Sequence, residues 1–353
     1  MVACKQSFTV IDRGQDERKL LRSSCIGERR ARRRVPEDTA DRAPEADAMP
    51  RSGRSYGPVD DLWRSNVVAI PSDGRWSLRS LSENDGAEAL RFLRREPLLN
   101  VFLIARILED GLASGSPMVE VRRERETICI ASLGTNVVLA ADRSDDPDRL
   151  EMAVALIADR IVNRMVPVRA IICSADLVEA LWQRLRTRID PPSVVRMNQP
   201  IYALTQMRGA AELRSARFAT VGDLDQLVPA CAAMHMEEVG INPLDRDALG
   251  YRERIRELVE KRHSVVRIEE GKIAFKCEFS AVTPDAVQLM GVWTSPQYRN
   301  RGFARQTLSE LCGMLTLGGR AVTLFVNDFN TPAIRLYESL GFERIGTNRA
   351  LIW

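Results

Sequence analysis

A short arginine-rich loop near the C-terminus has the composition of an anion-binding site. The run Arg299–Ala304 reads Arg-Asn-Arg-Gly-Phe-Ala, between a predicted strand (Ala286–Thr294) and a predicted helix (Gly302–Leu317). At a helix N-terminus the first backbone N–H groups lack partners within the helix, and the helix dipole adds partial positive charge. Gly302 leaves room for an anion, and the arginines add charge. The loop therefore predicts a phosphate-type site; a basic strand-to-helix turn is the alternative interpretation.

A second segment, Asn330–Phe342, predicts a capped amphipathic helix. Asn330 stands where an N-cap belongs, Pro332 falls in the first turn, and Gly341 ends the helix. Its apolar residues recur at i, i+3, i+4 and i+7 on one face, and these are Ala333, Leu336, Tyr337 and Leu340. From this periodicity alone, Tyr337 is predicted to be a core tyrosine.

Together the two segments resemble the GNAT N-acetyltransferase superfamily. The first matches Val-x₆-Arg-x-x-Gly-x-Ala from Val292 to Ala304, and the second matches Asn-x-x-Ala-x-x-x-Tyr-x-x-x-Gly-Phe from Asn330 to Phe342. The wider chain, roughly residues 76–353, also resembles actinobacterial proteins that join an uncharacterised N-terminal region to a C-terminal GNAT domain. The resemblance implies acetyl-CoA as co-substrate, with no metal, and an acceptor that carries an amine.

The resemblance also implies a role for each matching residue. The strand around Val292–Thr294 would splay from its neighbour and contact pantetheine and the acetyl carbonyl, and the loop would bind the pyrophosphate. Tyr337 would protonate the departing thiolate, since a tyrosine phenol has a pKa of about 10 and is protonated at neutral pH. The implied coenzyme-binding residues are Val292, Trp293, Thr294, Arg299, Asn300, Arg301, Gly302, Phe303, Ala304 and Asn330.

The general base is the least defined part of the predicted site. Many members of the family place a glutamate on the strand before the pyrophosphate loop, where this chain has Gln288 and Met290. Glu238 is the first choice, because it precedes a glycine in a loop that could border the substrate groove. The other candidates are Glu278, Glu237 and His235, and for each carboxylate a structural charge is the alternative interpretation.

The elements that must position these residues occur twice. Both halves of the chain predict the order β-α-α-β-β-β-α-β-α-β, which indicates an α/β (α+β) fold of tandem GNAT-like domains with a mixed central sheet flanked by helices. Two unrelated α+β domains are the alternative. The predicted divisions are a disordered tail over 1–72, a degenerate GNAT-like domain over 73–207 and a GNAT N-acetyltransferase domain over 208–353.

The first of these domains is predicted not to bind acetyl-CoA. It has no counterpart of the Arg-x-x-Gly-x-Ala loop, and acidic residues follow its third central strand, where they would repel a pyrophosphate. These residues are Asp142, Asp145, Asp146 and Asp148.

Composition narrows the classes of partner and compartment. The chain has 353 residues, a net charge of +3, 45% hydrophobic residues and seven cysteines without a C-x-x-C pair. This composition predicts a globular protein of the cytoplasm without membrane spans or a zinc site. The basic run Arg29–Arg34 is interpreted as part of a solvated tail rather than as a site for nucleic acid or a membrane surface. An alternative for residues 1–48 is that translation starts at Met49.

The sequence therefore predicts an acetyl-CoA-dependent N-acetyltransferase that acts by direct attack of a primary amine in a ternary complex. The acceptor would be a small molecule, a peptide or protein N-terminus, or a lysine. The alternative function is a non-catalytic acyl-CoA-binding sensor or scaffold.

Overall fold

The computed structural model describes residues 75–112, 117–143, 146–164, 166–207 and 212–353. The predicted tail over 1–72 and the predicted role of Asp145 lie outside the described residues. In the first half the elements are β1 (Trp76–Ser80), α1 (Gly86–Leu93), α2 (Val101–Asp110), β2 (Met118–Arg123), β3 (Glu126–Leu133), β4 (Asn136–Ala141), α3 (Pro147–Asn163), β5 (Ala170–Ser174), α4 (Ala175–Leu185) and β6 (Val194–Leu204). In the second half they are β7 (Arg217–Phe218), α5 (Leu224–Val239), α6 (Leu244–Glu260), β8 (Ser264–Glu269), β9 (Lys272–Val282), β10 (Ala286–Thr294), α7 (Phe303–Leu317), β11 (Ala321–Phe325), α8 (Thr331–Ser339) and β12 (Glu343–Ile352).

The predicted mixed sheet flanked by helices is confirmed, and the two halves share it. The twelve strands follow the order β1-β2-β3-β4-β5-β12-β6-β11-β10-β9-β8-β7, which reads as two copies of one pattern meeting at β12 and β6. The last strand of each half completes the sheet of the other half: β12 pairs with β5, and β6 pairs with β11, both antiparallel. The exchanged strands also pair with each other along their length. The predicted division at residues 207 and 208 therefore falls just after a strand that belongs spatially to the second half.

A repeated cap marks the start of each half. In the first half, the Asp85 carboxylate accepts hydrogen bonds from the backbone and hydroxyl of Ser82 at 2.8 and 2.6 Å, and Arg79 donates to it at 2.8 Å. In the second half, Asp223 holds Thr220 at 2.7 and 2.9 Å and binds Arg217 at 2.7 and 2.8 Å. Both reproduce a capping box that satisfies donors at a helix N-terminus. The shared pattern Arg-x-x-Ser/Thr-x-x-Asp is therefore a second sign of the internal repeat, in addition to the order of the elements.

Each half has a hydrophobic core, and the exchanged strand contributes to it. The core between β8–β11 and helices α7 and α8 includes Tyr202 and Leu204, both from β6 of the first half. Helix α2 of the first half packs in turn against the second half, where Val101 and Ala105 meet Ala281 and Ala286. The small side chains at this contact let the helix lie close to the strands.

Periodicity and turn signals also predict a helix opened by Pro97 over Leu98–Leu108, a strand over Leu213–Phe218, and two terminal strands around Phe342–Gly346 and Arg349–Trp353. In these three places the structure differs from the prediction. Helix α2 starts at Val101 rather than near Pro97, and the Asn100 side chain donates to the carbonyl of Leu93 at 2.9 Å in the preceding turn. The strand expected over 213–218 shrinks to Arg217–Phe218, because the backbone N–H groups of 214 and 215 bind Glu310 instead. The two terminal strands expected near 342–353 form one bulged strand, β12.

Candidate functional site

Strands β10 and β11 diverge at the place where the resemblance predicts a coenzyme slot. They pair in parallel only from Ala286–Gln288 to Ala321–Thr323, and beyond these residues no registered pair joins them. On its other edge, β10 has an irregular register with β9 between Met290 and Trp293, where Gly291 has a positive φ of 58°. Val292 and Thr294 therefore lie on the part of β10 that has left β11, and both side chains are buried.

The arginine-rich loop turns sharply and leaves bare backbone at the start of α7. Asn300 and Gly302 have φ values of 62° and 78°, and Gly302 is the N-cap residue of α7. A Cβ atom built on Gly302 would meet no atom within 4 Å, so this backbone faces open space. A cleft of about 350 Å³ lies here. It is lined by Thr294, Tyr298, Arg299, Asn300, Gly302, Phe303, Ala304, Arg305, Pro332, Arg335 and Leu336.

Arg299 fixes the loop to the end of α5. Its Nε donates to the carbonyl of Thr294 at 2.9 Å, and its terminal nitrogen donates to both oxygens of Glu237 at 2.9 and 2.7 Å. The indole N–H of Trp293 donates to the same Glu237 at 3.2 Å. Glu237 is thus engaged in holding the loop, which favours a structural role for this base candidate. The aromatic face of Tyr298 lies under the Arg301 guanidinium at 5.5 Å, so Arg301 packs on the loop.

Helix α8 forms the opposite wall of the cleft. Asn330 caps this helix, and its side-chain oxygen accepts a hydrogen bond from the backbone N–H of Ala333 at 3.3 Å. Tyr337 is fully buried in the second-half core, with its ring centroid 5.7 Å from that of Phe342. Six of the predicted residues line the cleft, namely Thr294, Arg299, Asn300, Gly302, Phe303 and Ala304. Val292, Trp293, Arg301, Asn330, Tyr337 and Glu238 are not among its lining residues.

Glu278 is held in a buried ion pair beside Gly291. Lys276 Nζ lies 2.9 and 2.8 Å from the two carboxylate oxygens, and the Cys231 thiol donates to Glu278 at 3.4 Å. Burial disfavours a charged ammonium, but the facing Cys231 and Glu278 outweigh it and raise the pKa of Lys276. A carboxylate committed to a buried ammonium is a poor proton acceptor, so the geometry favours a structural role for Glu278. Lys276 is not among the site residues predicted from the sequence, although a lysine two residues from a glutamate on one apolar strand lies on the same face as that glutamate.

Glu238 lies at the C-terminal end of α5, with only 8% of its surface exposed. The first half contributes a charge here, because Glu238 interacts electrostatically with the buried Arg196 of β6. Burial lowers the pKa of Arg196, and Glu238 opposes that effect. His235 is half-buried; burial lowers its pKa, and its Nδ1 lies 2.7 Å from the carbonyl oxygen of Ile241. Gln288 accepts a hydrogen bond from the Ser280 hydroxyl at 2.9 Å, in line with an amide at this position.

The corresponding helix in the first half has no open N-terminus. Helix α3 follows β4 as α7 follows β10, but its N-cap is Asp146, whose carboxylate accepts from the backbone N–H of Arg149 at 3.3 Å. A protein carboxylate therefore occupies the position that an anion would take. Within the described residues, no group of three or more His, Cys, Asp or Glu side chains is arranged to hold a metal ion. None of the described helices is long and apolar enough to span a membrane.

Two family models match separate segments of the chain. Residues 278–351 match the family described as FR47-like protein, and residues 117–227 match a domain of unknown function, DUF4081. None of the curated protein sequences matches this chain.

Many solved structures are similar to the chain. A GCN5-related N-acetyltransferase from Sphaerobacter thermophilus has 18% identity and a TM-score of 0.52, with 80% of this chain and 96% of that one covered. A Drosophila protein has 12% identity and a TM-score of 0.54, with 78% and 98% covered. A tandem GNAT protein from the clavulanic acid biosynthesis pathway has 13% identity and a TM-score of 0.47, with 78% and 98% covered. At these identities, the first two similarities show a shared fold.

Proposed function

We propose that this chain, whose residues 278–351 match the FR47-like family and whose fold is shared with a GCN5-related N-acetyltransferase, is an acetyl-CoA-dependent N-acetyltransferase with one active site in the second half. The acetyl group would pass to a primary amine by direct attack in a ternary complex. The observation that carries this proposal is the open N-terminus of α7 at Gly302, beside the gap between β10 and β11.

The residues around that N-terminus suit the pyrophosphate of coenzyme A. Unpaired N–H groups and the helix dipole attract an anion, and Arg305 and Arg335 are among the lining residues of the same cleft, together with Arg299, whose guanidinium is engaged with Glu237. The capped helix α3 of the first half offers no such surface. The gap between β10 and β11 leads from this cleft along Thr294 and Val292, so it would take the pantetheine arm.

The transfer exchanges one bond for another and moves one proton each way. The acceptor nitrogen bonds to the carbonyl carbon of the thioester that acetyl-CoA supplies, and the carbon–sulfur bond breaks. Glu238 would take the proton from the amine, and the Tyr337 phenol would give a proton to the departing sulfur. Arg196 would influence this step through its charge on Glu238.

The proposal is tested by calorimetry with acetyl-CoA and by coenzyme release in the presence of amines. Tyr337→Phe should lower kcat by about 100-fold, at the lower end of general acid–base effects, with an unchanged Kd for acetyl-CoA. Tyr202→Phe is the matched control, since Tyr202 is similarly buried in the same core and binds Glu338 at 2.9 Å. Equal kcat values for the two variants would refute the role of Tyr337, and the absence of acetyl-CoA binding would refute the function.

A second candidate function is a non-catalytic acyl-CoA sensor or scaffold. It is favoured by the engagement of Glu278 with Lys276 and by the amide of Gln288 where many members of the family carry a carboxylate. Tight acetyl-CoA binding without coenzyme release on any amine would support this function over catalysis.

A further inference from the structure

A cavity of about 490 Å³ lies where the first half meets the second. Its walls come from the turn before α2, from strands β4 and β5 of the first half, and from the exchanged strands β6 and β12. Strands β10 and β11 of the second half close it, through Gln288, Met290 and Phe325. It is larger than the cleft at α7, and no site residue predicted from the sequence lines it.

The cavity occupies the first half's counterpart of the coenzyme gap. Strands β4 and β5 pair in parallel only at Asn136–Ala170 and Val137–Ile171, and the residues beyond these pairs line the cavity. The same divergence of parallel strands opens the gap between β10 and β11. In the first half, however, the Asp146 carboxylate caps the N-terminus of the neighbouring helix α3. The diverging strands β4 and β5 therefore form a slot that has no anion site beside it.

The far wall of the cavity reaches the proposed acetyl-transfer site. Met290 lies two residues before Val292 on β10, and Phe325 is the last residue of β11. A molecule in the cavity would therefore have one end beside the diverging part of β10. A cavity that reaches this part of β10 is suited to deliver an acceptor to the acetyl group.

The chemistry of the lining indicates the class of ligand. Most of the wall is apolar, with Phe102, Ile172, Ile201 and Ile345 among its residues. The volume falls in the range of small-molecule sites, about 300–1,000 Å³. At the outer end Arg143 lies 3.7 Å from both Glu96 and Asp176, so two carboxylates face one guanidinium and the net negative charge of the rim attracts a cationic ligand towards the cavity, whose other end lies beside β10.

We propose that this cavity is the acceptor site and that it takes a small primary amine with an apolar body. The proposal rests on the proposed acetyltransferase function. The first half would thus serve the reaction by converting its own opened strands into the acceptor pocket of the second half. Residues of the region that matches DUF4081 would line the acceptor site together with residues of the second half, and donor binding would lie in the region that matches the FR47-like family.

Filling the cavity tests this proposal. Ala141 lines the cavity at the end of β4, and Ala141→Leu adds three carbon atoms inside it. Ala87→Leu makes the same change on the exposed face of α1 and is the matched control. Asp176→Asn removes one rim charge at an exposed position where folding should be unaffected. Phenethylamine is the apolar probe and ethanolamine the polar one, with binding measured by calorimetry and turnover by coenzyme release.

We expect wild type to bind phenethylamine better than ethanolamine. Ala141→Leu should raise the Kd for phenethylamine at least tenfold, with the Kd for acetyl-CoA unchanged and Ala87→Leu like wild type. Asp176→Asn should lower kcat/KM for phenethylamine about threefold at low ionic strength, because the rim attracts the amine and does not hold it beside β10. Unchanged phenethylamine binding in Ala141→Leu, or no binding of either probe to wild type, would overturn the cavity proposal even if other amines were acetylated. Phenethylamine binding that Ala141→Leu abolishes, without coenzyme release by wild type, would support the cavity as an amine site and overturn the acetyltransferase function.

Discussion

Replacement of Gly291 by alanine should destabilise the protein far more than a glycine substitution at an ordinary turn. Gly291 has a φ of 58°, and an added Cβ would lie 1.8 Å from the Glu278 carboxylate and 3.1 Å from Lys276 Nζ. The positive φ costs an L-residue roughly 1–2 kcal/mol. Glu278 must also move away from Lys276, and breaking a buried pair costs about 3–5 kcal/mol. We therefore expect Gly291→Ala to lower the free energy of unfolding by about 4 kcal/mol or more.

The control separates the backbone effect from the contact. Gly319 has a φ of 79° with no atom within 4 Å of an added Cβ, so Gly319→Ala should cost only the backbone part, roughly 1–2 kcal/mol. Both free energies come from urea unfolding followed by circular dichroism. Calorimetry with acetyl-CoA should show weaker binding for Gly291→Ala, because the irregular part of β10 carries Val292. A difference between the two variants below 1 kcal/mol would refute the inferred close packing of Gly291 on the ion pair.

Three further substitutions test the charges that hold the site and the caps. The hydrogen bond from the Arg217 side chain is the main cause that holds the pKa of Asp223 well below its usual value. The stabilisation from the Asp223 carboxylate is therefore complete above about pH 4, the pKa of an unfolded aspartate, and is lost as the pH falls towards the folded pKa. Asp223→Asn should lower the free energy of unfolding at pH 7, by a margin that shrinks towards pH 2 in urea titrations. Lys276→Met should cost about 3–5 kcal/mol of unfolding free energy, since it leaves the Glu278 carboxylate buried without its ammonium. Arg299→Lys should raise the Kd for acetyl-CoA about tenfold in calorimetry, because lysine cannot keep the fork-shaped contacts that position the loop.

Each of these substitutions has a matched control elsewhere on the surface. Asp225→Asn removes a carboxylate that is 86% exposed, and a pH-dependent loss as large as that of Asp223→Asn would contradict the assignment. Lys272→Met changes an exposed lysine on the same strand as Lys276, and an equal cost would contradict the buried pair. Arg320→Lys alters an exposed arginine remote from the loop, and an equal loss of acetyl-CoA affinity would contradict the role of Arg299.

The sequence predicts the helices and strands better than it predicts which strands pair with each other. The sequence pattern predicts a strand near Val194–Leu204, where the structure has β6, and the repeated order of elements is present. The exchange of β6 and β12 was not predictable in the same way, because an alternating apolar strand shows which face is buried and not which neighbour it pairs with. The repeat also makes the pairing of the last strands ambiguous from sequence. Both halves end in the same order of elements, so β6 and β12 are each compatible with β5 or β11 as a neighbour.

The candidate site was predictable where chemistry depends on local spacing. The loop from Arg299 to Ala304 and the cap at Asn330 follow from short-range rules of helix termini, and the helix that Asn330 caps forms the wall of the cleft opposite the loop. The partners of the acidic residues were not predictable, because they come from distant elements. Arg299 reaches Glu237 from 62 residues away, and the Arg196 charge near Glu238 comes from the exchanged strand.

The strand exchange makes a final prediction about which fragments can fold. In the core of the second half, Tyr202 and Leu204 of β6 are 4% and 3% exposed, and each buried side chain of this size stabilises a fold by about 1.5–3 kcal/mol. A fragment of residues 208–353 lacks both, and it exposes the edges of β11 and β12 that β6 covers. We expect this fragment to show no cooperative urea transition and to aggregate. A fragment of residues 194–353, which regains β6, should unfold cooperatively, and residues 75–353 should be more stable still because β5 then covers the other edge of β12. Equal stability of the fragments 208–353 and 194–353 would show that β6 is dispensable to the second half, and the structural basis for one continuous sheet would be wrong.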